Sequence, residues 1–279
     1  MSDSGAVTEV VPIIEAVHLT KRYGAGVGAP VAVDDLNLSI AAGELFGFLG
    51  ENGAGKTTTI KMLTGLIPPT EGVARIGGCD IREEPLKAKA LVGYIPDNPF
   101  LYDKLTGLEF MGFVGDLYRV PGGGAREARV RDLLTLFDLA GKADALIGSY
   151  SRGMRQKIAL AAALLHEPKA LFLDEPTVGL DPKSTRRLQD VLRTVATRGT
   201  TVFLSTHVLE VAAGLCDRVG ILHKGRLAAI GTPAELTEGG RRTLEEVFLS
   251  LTGGAGACDE VARLLAGGGD GLEMEIQEP

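Results

Sequence analysis

The stretch Gly50-Glu51-Asn52-Gly53-Ala54-Gly55-Lys56-Thr57 fits the spacing G-x-x-x-x-G-K-[ST], the pattern of a loop that wraps phosphate. Glycines let the backbone turn tightly enough for its N–H groups to face phosphate oxygens. A helix beginning near Lys56 would then point the positive end of its dipole at them. Lys56 supplies a point charge for the β- and γ-phosphates, and the Thr57 hydroxyl supplies a ligand for Mg2+, with Thr58 next in the same turn. Far along the chain, Ala170-Leu171-Phe172-Leu173-Asp174-Glu175 is an apolar run ending in two carboxylates. By itself such an ending caps a turn. Beside a phosphate loop it can hold Mg2+ through Asp174 and polarise an attacking water through Glu175. The chemistry implied is hydrolysis of a nucleoside triphosphate such as ATP.

Strands alternating with helices must bring these groups together. β-branched stretches at 13–19 and 31–40, separated by the glycine-rich 24–30, read as a hairpin. A short apolar strand at 44–49 leads into the phosphate loop, and Ile60, Leu63, Leu66 and Ile67 continue as a helix. Further strands are expected at 73–76, 92–95, 170–173, 201–204 and 219–222, and helices at 155–165, 188–195 and 207–215. This alternation implies a mostly parallel α/β sheet. Between 105 and 150 the pattern turns helical, with Val130, Leu133, Leu134 and Phe137 on one face and Pro121-Gly122-Gly123-Gly124 dividing two helices. That stretch reads as an inserted subdomain. After Gly225 a short hairpin and two helices follow, the last near 243–251, and much of 253–279 reads as a mobile glycine-rich tail.

Composition narrows the class. The 279 residues are 45% hydrophobic and 23% charged, close to globular averages. A net charge of −7 argues against a nucleic-acid binder relying on overall positive charge. Cys79, Cys216 and Cys258 stand far apart, and His18, His166, His207 and His223 share no metal-ligand spacing with them. A reducing cytosol fits that usage. The first ten residues carry no basic or apolar leader pattern, and the longest apolar run, 158–165, is far below the roughly 18 residues of a membrane span. Work at a membrane would require another chain to cross it.

With these motifs in place, residues 12–235 resemble the ATP-binding cassette (ABC) family of transporter ATPases. The resemblance implies a P-loop NTPase core with a mostly parallel sheet, an N-terminal antiparallel β subdomain and an inserted helical subdomain at about 100–155. On this division 1–11 is an N-terminal tail, and 236–279 holds C-terminal helices and the glycine-rich tail. Tyr150-Ser151-Arg152-Gly153-Met154 is similar to the family's signature segment, ideally L-S-G-G-Q, keeping its serine and second glycine. Ser151 and Gly153 thereby inherit contact with the γ-phosphate of ATP held by the opposite subunit. Read alone, Ser151 is a helix N-cap, and Asp181 followed by Pro182 is an N-cap and first-turn pair. The resemblance adds that Val178-Gly179-Leu180-Asp181-Pro182 lies across a dimer interface.

By the same resemblance His207 hydrogen-bonds the γ-phosphate and Tyr23 stacks on adenine. Gly93-Tyr94-Ile95-Pro96 is followed by Asp97 where the family usually has glutamine. Aspartate can still ligate Mg2+, but it is shorter and adds negative charge near phosphates. Tyr94-Ile95-Pro96-Asp97, the signature variant and Leu244-Glu245-Glu246-Val247-Phe248-Leu249 look like the ABC-2 type exporter subgroup. The implied assembly is a homodimer, or a pair of ATPase subunits, around two Mg-ATP. It would lie at the cytoplasmic face of the membrane beside separate transmembrane permease subunits, with no nucleic acid expected. The alternative is a soluble ABC ATPase acting on nucleic acid or the ribosome. Against it stand the single cassette and the absence of heptads between Thr58 and Tyr150.

Overall fold

The computed structural model describes residues 12–24, 26 and 28–253, so the tail expected beyond Gly253 lies outside the described residues. Along the chain run β1 (Ile14–Arg22), β2 (Val31–Ile40), β3 (Leu45–Gly50) and α1 (Lys56–Leu63), then β4 (Glu71–Ile76), β5 (Cys79–Asp80), α2 (Pro85–Ala90) and β6 (Val92–Ile95). The helical stretch follows as α3 (Gly107–Leu117), α4 (Gly124–Leu136) and α5 (Arg152–Leu164). Then come β7 (Ala170–Asp174), α6 (Pro182–Thr197), β8 (Thr201–Thr206), α7 (Leu209–Leu215), β9 (Arg218–His223), β10 (Arg226–Gly231), α8 (Pro233–Leu236) and α9 (Leu244–Thr252).

Two sheets carry the fold. The smaller is antiparallel, in the order β2-β1-β4-β5. The larger, β10-β9-β3-β8-β7-β6, is parallel from β9 through β6 and closes with an antiparallel β10. Its central strands are buried throughout and mostly apolar because both faces are covered. Alternate residues divide between two cores: Phe46, Phe48, Phe172 and Phe203 join the cluster beneath the small sheet and α1, while Leu45, Leu49, Leu171, Leu173, Val202 and Leu204 join the cluster under α5, α6 and α7. Tilted phenylalanine pairs with centroids 5.1–5.7 Å apart tie β3, β8 and β7 together on the first face. Burial of such rings locks the strand register, since a one-residue slip would exchange the two cores.

The expected α/β alternation and the glycine-marked division of α3 from α4 stand. Differences are local. β5 and α2, with two and six residues, are too short to leave a periodic signal. α6 begins at Pro182 rather than near 188, because Asp181 caps it: its carboxylate accepts the Ser184 N–H at 3.0 Å. The helix expected from His207 begins instead at Leu209, and His207 stays in the turn after β8, where Thr206 Oγ1 accepts the Val208 N–H at 3.1 Å.

Candidate functional site

β3, β8, β7 and β6 are consecutive and parallel, so their carboxyl ends emerge side by side. A crevice beyond the carboxyl ends of parallel strands is where α/β sheets bind ligands. Leaving β3 is the phosphate loop; leaving β8, His207; leaving β7, Asp174 and Glu175; leaving β6, Asp97. Around a cavity of about 280 Å³ the structure gathers Glu51, Asn52, Gly53, Gly55, Lys56, Thr57, Thr58, Asp97, Asp174 and Glu175. A larger crevice of about 570 Å³ lies between α4 and α6, against the opposite ends of the strands, and holds none of these groups.

The loop is shaped by close approach. Gly55, at φ +112°, caps α1, and a Cβ there would collide with the Ala32 carbonyl oxygen, a contact that no side chain can make. Ala32, on β2, lines the cavity as well; no sequence motif marks it, because it acts through its backbone. The N-terminus of α1 has no side-chain cap and no acidic residue in its first turn. Its leading N–H groups therefore suit an anion. Lys56 is only 6% exposed, and its ammonium donates to the Gly50 and Glu51 carbonyls at 2.6 and 3.3 Å. Ala54 is buried among the core residues beneath the loop.

Across from the lysine, Thr57 Oγ1 donates to Asp174 Oδ2 at 2.7 Å. Asp174 is 3% exposed, yet its Oδ1 has no protein partner. A buried, unpartnered carboxylate oxygen beside a threonine hydroxyl is a hard-oxygen donor set. Among the described residues no three His, Cys, Asp or Glu side chains form a metal cage. One or two protein oxygens supplemented by substrate phosphate and water suit Mg2+. Burial, with the charge of Asp174, pushes the Tyr94 phenol on β6 up to about 12.

Glu175 takes a left-handed φ of +50°, held by its own N–H donating to the Ser205 carbonyl at 2.9 Å. Its Oε1 lies 3.5 Å from Lys56 Nζ, and its Oε2 accepts from the His207 backbone N–H at 3.3 Å and lies 2.9 Å from His207 Nδ1. The structure thus joins three sequence-expected residues, Lys56, Glu175 and His207, in one chain of contacts. Others stand apart. Tyr23 is 46% exposed, with Lys21 Nζ 5.5 Å over its ring. Ser151 and Asp181 make only local capping bonds: Ser151 Oγ accepts the Met154 N–H at 3.3 Å, and Ser184 bonds hold the Asp181 carboxyl below its usual range. Gly153 sits in the first turn of α5. None of these four lines the cavity.

The ABC transporter family pattern matches residues 33–178. The chain belongs to the ABC transporter family. Over 224 residues this ABC chain is 38% identical to the linearmycin resistance ATP-binding protein LnrL of Bacillus subtilis, covering 80% of itself and 70% of that protein. It is 39% identical to the daunorubicin/doxorubicin resistance ATP-binding protein DrrA of Streptomyces peucetius, covering 82% of itself and 68% of the other. Of the probable multidrug ABC transporter ATP-binding protein YbhF of Escherichia coli, 37% identical, it spans 41%. In three dimensions it superposes on an ATP-binding subunit of an ABC transporter with a TM-score of 0.79 at 32% identity, over 86% of this chain and 99% of that one. It also matches the dimeric post-hydrolysis cassette MJ0796 bound to ADP and Pi, with a TM-score of 0.73 at 27% identity, over 78% and 98%. The ABC fold expected from the motifs is therefore the fold observed, and the chain is a nucleotide-binding ABC ATPase. Among the described residues no helix is long and apolar enough to cross a membrane.

Proposed function

We propose that this ATPase works as a homodimer around two ATP molecules, driving export through separate membrane subunits from the cytoplasmic face of the membrane. The meeting of Lys56, Thr57, Asp174, Glu175 and His207 at adjacent strand ends carries this reading. Backbone N–H groups of 51–57 and Lys56 take the β- and γ-phosphates, and Tyr23 flanks the adenine. Thr57 and Asp174 would hold Mg2+, which would neutralise phosphate charge when bound. Glu175 accepts the proton of the attacking water as its oxygen bonds to the γ-phosphorus and the bridge to the β-phosphate breaks. His207, fixed to Glu175 through Nδ1, turns its Nε2 toward the γ-phosphate. Ser151, Gly153 and Asp181, free of the cavity in their own protomer, serve the nucleotide of the second copy.

The membrane partner meets the exposed aromatic face just beyond Asp97. Phe100 is 95% exposed, and Tyr102 and Phe113, both accessible, contact edge to face at 5.3 Å. Such rings on the surface suit a partner's apolar helix. Export is favoured by the resistance functions named for the relatives LnrL and DrrA. Division of the chain into an ATPase unit at 12–235 and a C-terminal addition at 236–279 belongs to the same reading.

Glu175→Gln tests it. The amide keeps shape but cannot take the proton, so turnover should fall by about 10²–10⁴-fold while ATP binding survives. In size-exclusion chromatography with Mg-ATP this variant should accumulate as a dimer. Near wild-type turnover would remove Glu175 from the role of base.

A further inference from the structure

The nucleotide cavity is poor in positive charge for a site that receives a polyanion. Four carboxylates, Glu51, Asp97, Asp174 and Glu175, share its walls with one cation, Lys56. Asp174 faces the Thr57 hydroxyl and Glu175 faces Lys56 and His207. Asp97 meets a residue from outside the cavity: its Oδ1 lies 3.9 Å from the Arg152 guanidinium.

Arg152 is placed with care. It opens α5, where a positive charge opposes the helix dipole, and no acidic residue stands in that first turn. A second cation, Arg155, follows in the same turn and binds Asp103 at 2.6 Å and the Ile147 carbonyl at 3.3 Å. Both arginines thus meet aspartates of the segment that leaves β6. Arg152 also lies over Gly179, in the loop after β7: a Cβ on that glycine, at φ +80°, would be 2.9 Å from Arg152 Nε. One guanidinium at the start of α5 therefore lies between the Asp97 segment and the loop that follows Glu175.

We propose that Arg152 is a positioning residue for the nucleotide site, pairing with Asp97 so that this carboxylate is turned aside and its charge screened from the incoming phosphates. The inference rests on the ATPase reading above and extends it. Asp97 and Arg152 both depart from the family's usual uncharged residues at these places, and together they restore the charge balance that either alone would upset. With both side chains more than half exposed, the pair is solvent-screened and its effect modest.

The full-length protein is titrated with ATP in EDTA, so that phosphate charge is read without a metal. Arg152→Gln should weaken binding roughly threefold. Asp97→Asn should not weaken it, and adding Arg152→Gln to Asp97→Asn should change the affinity by less than about 1.5-fold, with Arg152→Lys in the wild-type background retaining most of the affinity. The Arg152→Gln loss should also be smaller for ADP than for ATP and shrink in high salt, neither of which a packing defect would produce. Equal losses from Arg152→Gln with and without the Asp97 charge would overturn the pairing. Failure of the wild type to bind ATP would instead break the ATPase reading beneath it.

Discussion

The two sides of the proposed catalytic unit are built on opposite terms. On the phosphate-loop side Lys56 and Asp174 are almost fully buried, and hydrogen bonds to the carbonyls at the end of β3 and from the Thr57 hydroxyl fix them. On the signature side Ser151, Gly153 and Asp181 stand at the starts of α5 and α6, and the serine and aspartate side chains bond only within their own helix turns. The first side is supplied by one chain, and its buried Asp174 Oδ1, costly to leave unpartnered, is open to a ligand. The second is a pair of satisfied helix caps with nothing in the same protomer to act upon. In the proposed dimer the difference is that of a site and its complement, each supplied by a different copy.

Changes on the two sides should therefore fail differently. Lys56→Ala should abolish ATP binding to the monomer itself, since no other cation lines the cavity; retention of binding in a fluorescent-nucleotide titration would dissolve the distinction. Ser151→Asp should do the reverse. Aspartate caps a helix as well as serine does, so thermal stability should hold, while a carboxylate facing the partner's phosphates should cut turnover by at least about 10²-fold. Loss of monomer ATP binding in that variant would place Ser151 on the wrong side. A smaller effect belongs to Ser151→Ala, which deletes the cap and should cost about 1 kcal/mol in chemical denaturation.

The smallest expected effect sharpens the junction between the two sides. His166 follows α5, stacks on Tyr118 at a centroid distance of 3.7 Å, and meets the Val92 carbonyl at the start of β6 at 3.1 Å. Burial pulls its pKa below the ordinary value of 6.5, a little offset by the Val92 hydrogen bond. The unfolded chain therefore binds the proton more readily, and stability present above about pH 6.5 is lost as the pH falls below it. Denaturation at pH 7.5 and 5.5 should show a slope in the wild type of at most about 1.4 kcal/mol per pH unit from this group. His166→Phe should flatten it.

How far the sequence could be read follows the same division. Phosphate loop, apolar strand with two acids and α/β alternation were legible because each is a local pattern: a spacing, a run, a period. Asp181 and Ser151 were legible as caps for the same reason. Ala32 was not, because its contribution is a carbonyl that tertiary packing sets against Gly55, where a Cβ would collide with it. The Glu175–His207 contact needed β7 and β8 to be neighbours, and the Asp97–Arg152 pair needed α5 to start beside the end of β6. Tertiary proximity of exposed charges leaves no periodic trace.

The central claim is that one hydrolytic site is shared between two chains, and mixing two disabled proteins tests it most directly. Lys56→Ala keeps the signature side and loses the phosphate loop; Ser151→Asp does the opposite. Each alone should hydrolyse almost no ATP. In an equal mixture about half the dimers would pair one of each, giving one intact site per mixed dimer, so activity should rise to roughly a quarter of wild type at the same total concentration. A mixture no more active than the sum of its two components would contradict the shared site.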